Sequence, residues 1–378
     1  MNVLERTPME NKKGRFLLFP GHKIDYLLLA TILGLCIFGL VVLSSATLNI
    51  NPVSYVRKQA LASVLGFVCL FILMRIDFRI FKKYYLIIYM LGNILLLATL
   101  VFGHGDTSWG SRSWLRIGPV NFQPAEFIKL GLVYSLSVFL EKKDDINQPL
   151  QLLSVVVFAL VPVGLILLQP DFGTAMVFIF IIACMLFFAN ISWKYILGAL
   201  LAGILILPIS YPFLDDFQKD RILDFLDPSA NTQGSGYQAN EAQIAIGSGK
   251  FTGKGLYQGS QTQYNFIPTK QTDSIFPVLV EELGFIGGAG LLVLYGLMLY
   301  RLMDIARTSR DLCGRYLTIG YTAMFFIHIW ENVGMNMGLM PITGIPLPFL
   351  SYGGTFQLVN LIALGLVLSV HYHKREAQ

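Results

Sequence analysis

Long apolar runs alternate with short polar stretches along the whole chain. Windows of about 20 apolar residues, the length a helix needs to cross a hydrocarbon core of roughly 30 Å, fall at 24–43, 59–74, 84–102, 125–140, 152–168, 173–190, 194–210, 274–299, 316–338 and 355–372. The pattern predicts an all-α polytopic membrane protein with about ten transmembrane helices. Its domain plan is a tail at 1–23, a membrane domain at 24–372 and a second tail at 373–378. One polar stretch, 211–273 between helices 7 and 8, is far longer than the others. In it, "DDFQKDRILDFLDP" puts Ile222, Phe225 and Leu226 on one helical face, as in a helix lying in the membrane interface. "GYQANEAQIAIGSG" reads as a second short helix stopped by its glycines.

Composition agrees with this reading. The chain is 54% hydrophobic and 13% charged, against about 25% charged in soluble domains. Cys36, Cys69, Cys184 and Cys313 are scattered, without a CxxC or a Cys/His cluster, so neither a disulfide framework nor a zinc site is expected. The run from Ile24 to Leu43 exceeds the roughly 7–15 residues of a signal-peptide core and is read as an uncleaved first span.

Charge placement sets the expected orientation. With the N-terminal tail in the cytoplasm, most Lys and Arg of the short loops lie on that side, from Lys12 and Arg15 through Arg79 and Lys142 to Arg310 and Lys374. The opposite short loops carry only Arg57, Lys58, Arg112 and Arg116. Both termini are therefore expected in the cytoplasm. Every stretch with unusual chemistry then faces outward, including the 211–273 loop.

Carboxylates in apolar segments are costly and mark function or pairing. In "FIPTKQTDSIFPVLVEELGF", Asp273 stands at the lip of a span, and Glu281 and Glu282 lie about two turns deeper. Asp273 reads as a helix cap or as a base; the two glutamates diverge by about 100° on a helix, so at least one is expected to pair with a cation. "QPAEFIKLGL" puts Glu126 and Lys129 three apart on one face, either as a structural ion pair or as a grip on an anionic headgroup. Asp171 in "LQPDFGTA" suits a helix N-cap, a role compatible with lining a cavity. "GSGKFTGKG" lacks the Ser or Thr that must follow GK in a nucleotide loop and reads as a flexible turn, with Lys254 available to an anion. "MPITGIPLPFLSYGGT", three prolines and three glycines in an apolar stretch, cannot be regular helix, and irregular backbone at membrane depth must line protein or a watery cavity.

Taken in order, "FQPAEFIKL", "PDFGTA", "RILDFLDP…GYQ", "AIGSG…GKGLYQGSQTQ…FIPTKQTDSIFPVLVEELGF" and "GLMPITGIPLPFLSYGGT" resemble the SEDS family (shape, elongation, division and sporulation), over about residues 25–370. The "GKGLYQGSQTQ" stretch looks more like the RodA branch than the FtsW branch. The chain departs from the family pattern at Ser113, which precedes Trp114 where arginine is common, at Phe172 in "PDFGT", and at Gln271, Ser274 and Pro277.

The resemblance implies a peptidoglycan glycosyltransferase of the bacterial cytoplasmic membrane that polymerises lipid II into glycan strands. It implies a class B penicillin-binding protein as partner, and no nucleic acid. It also implies that the carboxylate of the "TD" motif, here Asp273, is essential. Substrate-binding candidates along the matched motifs are Glu126, Lys129, Asp171, Arg112, Arg116, Lys254, Gln263, Glu281, Glu282 and Ser351. The chemistry is consistent with this set. An inverting transfer needs one base at the acceptor hydroxyl and no enzyme nucleophile. The leaving pyrophosphate needs cations; no built-in cofactor is expected, and a divalent ion such as Mg2+ at the pyrophosphate is the alternative. The competing readings are a lipid II flippase and a non-catalytic scaffold for a penicillin-binding protein. Polar residues gathered at one face argue against a carrier, which needs sites near the midplane.

Overall fold

In the computed structural model, which describes residues 24–104, 113–117, 120–214, 216–227 and 234–374, short polar side chains and prolines set the helix starts. Asp25, Asn51, Asp171 and Asp311 each accept a hydrogen bond from the backbone three residues on, capping α1 (Tyr26–Ala46), α2 (Pro52–Arg75), α6 (Phe172–Phe188) and α12 (Leu312–Asn336). Pro124 and Pro149 open α4 (Pro124–Glu141) and α5 (Pro149–Leu167), where a missing N–H costs nothing. The other long helices are α3 (Tyr85–Phe102), preceded by a 3-10 turn at Phe78–Tyr84, then α7 (Trp193–Ser210), α11 (Ile275–Thr308) and α13 (Gly354–Tyr372). Between α7 and α11 lie α8 (Asp216–Leu226), α9 (Ser235–Ser248) and the single turn α10 (Ser260–Gln263).

A helix stands at each of the ten apolar runs. Six segments are long and apolar enough to cross a membrane: α1, α2, α3 with its 3-10 turn, α5, α11 and α13; α6 and most of α7 are shorter apolar helices. The remaining two, α4 and α12, carry buried ionisable residues, Glu126 and Lys129 on one and His328 and Glu331 on the other. One element differs from the expected loop. Leu115–Ile117 and Val120–Phe122 form a small antiparallel hairpin, β1 and β2, with Arg116 opposite Asn121.

The core is organised around α12, which is buried along most of its length and packs against α11, α6 and α4. α13 lies along α2. α7 keeps most of its apolar side chains exposed, as a helix solvated by lipid would.

α11 is discontinuous. Gly284 has φ 67° and ψ −166°, outside helical geometry, which splits the element into a short leading half and a long trailing half. The stretch expected to be a flexible turn fills this break. Lys254 and Gly255 N–H groups donate to the Glu281 and Glu282 carbonyls (3.0 and 2.9 Å), and Phe285 and Ile286 N–H groups donate to Lys250 and Phe251 carbonyls (2.9 and 3.2 Å). Backbone groups freed by the break are thus satisfied by another segment, as burial demands. A Cβ on Gly253 would run into the Glu282 carbonyl, and one on Gly284 into the backbone of Phe251 and Gly253.

The two ends of the bundle differ in chemistry. At one end Arg301 pairs with Asp25 (2.7 Å) and Asp304 (3.3 Å), while Asp311 accepts from Arg79 and from Lys82, which also reaches Glu141 (2.7 Å). The start of α11, the end of α12 and the segment 337–353 meet at the opposite end.

Candidate functional site

Asp273 lies on a turn held from several sides. The side-chain amides of Asn332 and Asn336, one turn apart on α12, both donate to the Asp273 main-chain carbonyl at 2.9 Å. Ser351 Oγ donates to the Thr272 carbonyl (2.6 Å) while accepting from Leu347 N–H (2.8 Å). Tyr352 N–H donates to the Gln271 carbonyl (2.8 Å), and Gln238 donates to Ser274 Oγ (3.1 Å). Ser351, a substrate-binding candidate in the sequence, is thus a strut between the Pro-rich segment and the Asp273 turn.

The Asp273 carboxylate itself receives no hydrogen bond from a side chain among the described residues. It faces the backbone of Gly344, where a Cβ would stand 3.6 Å from Oδ2. Its charged neighbour is Arg221 of α8, whose guanidinium also reaches the Thr343 carbonyl (3.4 Å) and acts on Asp171. Burial raises the Asp273 carboxyl to about 7, with Arg221 pulling against the rise. Burial likewise draws Arg221 below its ordinary value, opposed by Asp273 and Asp171. Asp171 caps α6 as its spacing predicts, accepting from Thr174 N–H at 3.1 Å. Asp273, Arg221 and Asp171 thus form one electrostatic group at this end of the bundle.

Glu126 and Lys129 pair at 2.9 Å, buried almost completely. Lys129 Nζ also lies 2.7 Å from His328 Nε2 and acts on Glu331, both on α12. With Lys129 Nζ as the donor, His328 Nε2 accepts and the imidazole proton sits on Nδ1. The pair is therefore the centre of a buried quartet between α4 and α12.

Lys254, Gln263, Glu281 and Glu282 form a separate constellation. The Glu281 carboxylate accepts from Lys254 Nζ (2.8 Å), from Gln261 and Thr262 N–H (2.8 and 3.0 Å) and from Thr262 Oγ1 (2.8 Å), capping α10. Glu282 accepts from Ser45 Oγ (2.6 Å) and Gln263 Nε2 (3.2 Å). None of these hydrogen bonds reaches Asp273. The expected cation partner exists for Glu281; Glu282 has neutral donors, with Lys270 acting on it from farther away. Arg116 is exposed on β1, and Arg112 lies outside the described residues.

Five residues of this region carry signals that the spacing of motifs alone does not weigh. Arg221 lies in the helix recognised for its apolar face. His328, Glu331, Asn332 and Asn336 are polar positions within an apolar run, which is itself the signal. Among the described residues no group of three or more His, Cys, Asp or Glu could hold a metal ion.

Comparison with known proteins places these features in a family. The family model described as Cell cycle protein, FtsW/RodA/SpoVE, matches residues 24–376. The chain is 32% identical over 355 residues to the peptidoglycan glycosyltransferase MrdB of Escherichia coli (strain K12), covering 93% of this chain and 94% of that one. Among solved structures, one described as the structural coordination of polymerization and crosslinking by a peptidoglycan synthase complex matches with a TM-score of 0.82 and 32% identity, over 94% of this chain and 99% of that one. The crystal structure of the Thermus thermophilus rod shape determining protein RodA matches with a TM-score of 0.71 and 30% identity, over 94% and 98%. The chain is a multi-pass membrane protein that belongs to the FtsW/RodA/SpoVE family of cell cycle proteins, the SEDS family whose motifs its sequence carries in order.

Proposed function

We propose that this chain is a peptidoglycan glycosyltransferase that polymerises lipid II, a disaccharide carried on a polyprenyl pyrophosphate, with inversion at the anomeric carbon. The acceptor sugar hydroxyl attacks the anomeric carbon, the bond from that carbon to the pyrophosphate oxygen breaks, and polyprenyl pyrophosphate leaves. Asp273 takes the hydroxyl proton. The observation that carries this reading is the state of Asp273: a carboxylate on a clamped turn, with no competing side-chain donor and a proton affinity near 7, as suits a general base at neutral pH. Arg221, beside it, supplies positive charge where the leaving pyrophosphate develops negative charge.

Charge bias supports a topology with both termini in the cytoplasm and this end of the bundle at the outer face of the cytoplasmic membrane, where the proposed reaction would consume lipid II. The structural neighbour described as a peptidoglycan synthase complex supports a crosslinking partner, a class B penicillin-binding protein. The likeness to MrdB and to the rod shape determining protein supports the RodA branch and a role in elongation.

The test is purified chain in detergent, with its partner added, given lipid II. Glycan strands that disappear with Asp273→Asn are the expected result. Wild-type protein that makes no strands, yet moves lipid II between the leaflets of vesicles, would establish the flippase instead.

A further inference from the structure

We infer that Asn332 and Asn336 are positioning residues for this reaction, clamping the backbone of Asp273 so that its carboxylate meets the acceptor hydroxyl in one orientation. This inference rests on the reading of Asp273 as the base.

The geometry accounts for all four amide protons. Asn332 Nδ2 donates to Asp273 O (2.9 Å) and to Ile345 O (2.7 Å). Asn336 Nδ2 donates to the same Asp273 O (2.9 Å) and back to Asn332 O (2.8 Å). Back-bonding to the preceding turn is the ordinary habit of a short polar side chain in a helix, and only one proton of Asn336 does it. The other three go to irregular backbone outside α12. Both amides are buried, at 0% and 4% exposure, so neither has water as an alternative partner. The acceptor also needs them. The residue four beyond Asp273 is Pro277, which has no N–H, so α11 cannot reach back to this carbonyl.

Asn332 does more than satisfy one carbonyl. Its two protons bridge Asp273 to Ile345, and Ile345 belongs to the Pro-rich segment whose Gly344 faces the Asp273 carboxylate. The amide therefore fixes the distance between the base and the wall opposite it. A rigid helix supports both contacts, because α12 is the buried centre of the bundle. A misplacement of about 1 Å at a reacting group costs on the order of 10²-fold in rate, which is the scale on which such a clamp acts.

The experiment uses the full chain with its partner in the lipid II polymerisation assay, comparing Asn332→Ala, Asn336→Ala and the double variant with wild type. Each single variant keeps one donor on Asp273 O and is expected to lower kcat about tenfold; the double variant, about 10²-fold, with KM within roughly twofold. The acid limb of the pH–rate profile should also move to lower pH in the double variant. Once released, the Asp273 carboxylate can turn toward water, away from the balance now set by Arg221 of α8 and by Asp171 of α6 acting through Arg221.

A purely structural role would leave the folded fraction with wild-type kcat and an unmoved acid limb, and that result overturns the inference. If the double variant does not fold, Asn336→Ala, which leaves the bridge to Ile345 intact, decides by the same two readouts. Asp273→Asn measured alongside separates the two levels. If it polymerises normally, the reading of Asp273 fails and the clamp with it. If it is inactive while the asparagine variants keep full kcat, the clamp alone is wrong.

Discussion

The raised proton affinity of Asp273 has a consequence for stability that can be measured without any substrate. An ordinary aspartate ionises near 3.8, and burial lifts this one to about 7. Between those values the folded protein holds a proton that the unfolded chain has already lost. Stability must therefore fall as pH rises from about 4 to about 7, because the folded state binds more protons throughout that window. At 1.36 kcal/mol per pKa unit, the loss is about 4 kcal/mol, complete above the folded value and absent below the unfolded one. Asp273→Asn mimics the protonated acid at every pH and cannot ionise. The stability gap between variant and wild type should thus widen by about 4 kcal/mol in favour of the variant from pH 4 to pH 8. Chemical unfolding in detergent at several pH values, followed by circular dichroism, reads this directly. The same group predicts the opposite trend in activity, which requires the carboxylate and should fall about tenfold per pH unit below 7. A gap that stays constant with pH would refute the reasoning, since Asp273 would then ionise as an ordinary surface carboxylate and lose its distinction as a base.

The buried quartet and the helix break give two further tests. Lys129→Ala removes the cation paired with the buried Glu126 and should cost roughly 3–5 kcal/mol of stability, read by the same unfolding measurement; the charge swap Glu126→Lys with Lys129→Glu should regain stability but not polymerase activity. Gly284→Ala places a Cβ against the backbone of Phe251 and Gly253 at a φ of 67°, so it should open the docked 250–255 stretch to limited proteolysis, whereas Gly290→Ala, with open space around it, should not.

The helical frame was legible in the sequence because lipid imposes one length and one polarity on every span. Even α4 stands out, despite Glu126 and Lys129, since the residues around them are apolar. The cap at Asp171 and the Glu126–Lys129 pair were legible for a related reason: both are local, and helix geometry fixes the partners of residues three apart. Contacts made by backbone left no such trace. The docking of Lys250–Gly255 onto α11 is built from main-chain hydrogen bonds, so the glycines of "GSGKFTGKG" announce a turn without announcing what it touches. The hairpin at Leu115–Phe122 has three-residue strands, too short for alternation to show. Arg221 was hidden by a true observation: Phe225 and Leu226 of its helix do remain exposed, and the apolar residues draw attention from the charged one beside Phe225, four residues before it.

The discontinuity of α11 explains how three carboxylates can share one apolar segment. An unbroken helix would carry Glu281 and Glu282 into the bundle with their charges unmatched. Breaking it at Gly284 instead brings in a loop that carries its own donors, and Glu281 collects four hydrogen bonds from it while Glu282 collects donors from Ser45 and Gln263. Glu281 is saturated, and a saturated carboxylate is a poor base; Glu282 is held through Oε1, its Oε2 having no hydrogen-bond partner among the described residues. Asp273, at the other end of the same short half-helix, is treated in the opposite way: its backbone is tied down by Asn332 and Asn336 while its oxygens are left without side-chain donors. The clasp at Glu281 and Glu282 holds the half-helix in place, and the clamp at Asn332 and Asn336 orients its first turn. The one carboxylate of the three that accepts from no side chain among the described residues is thereby held through its backbone instead.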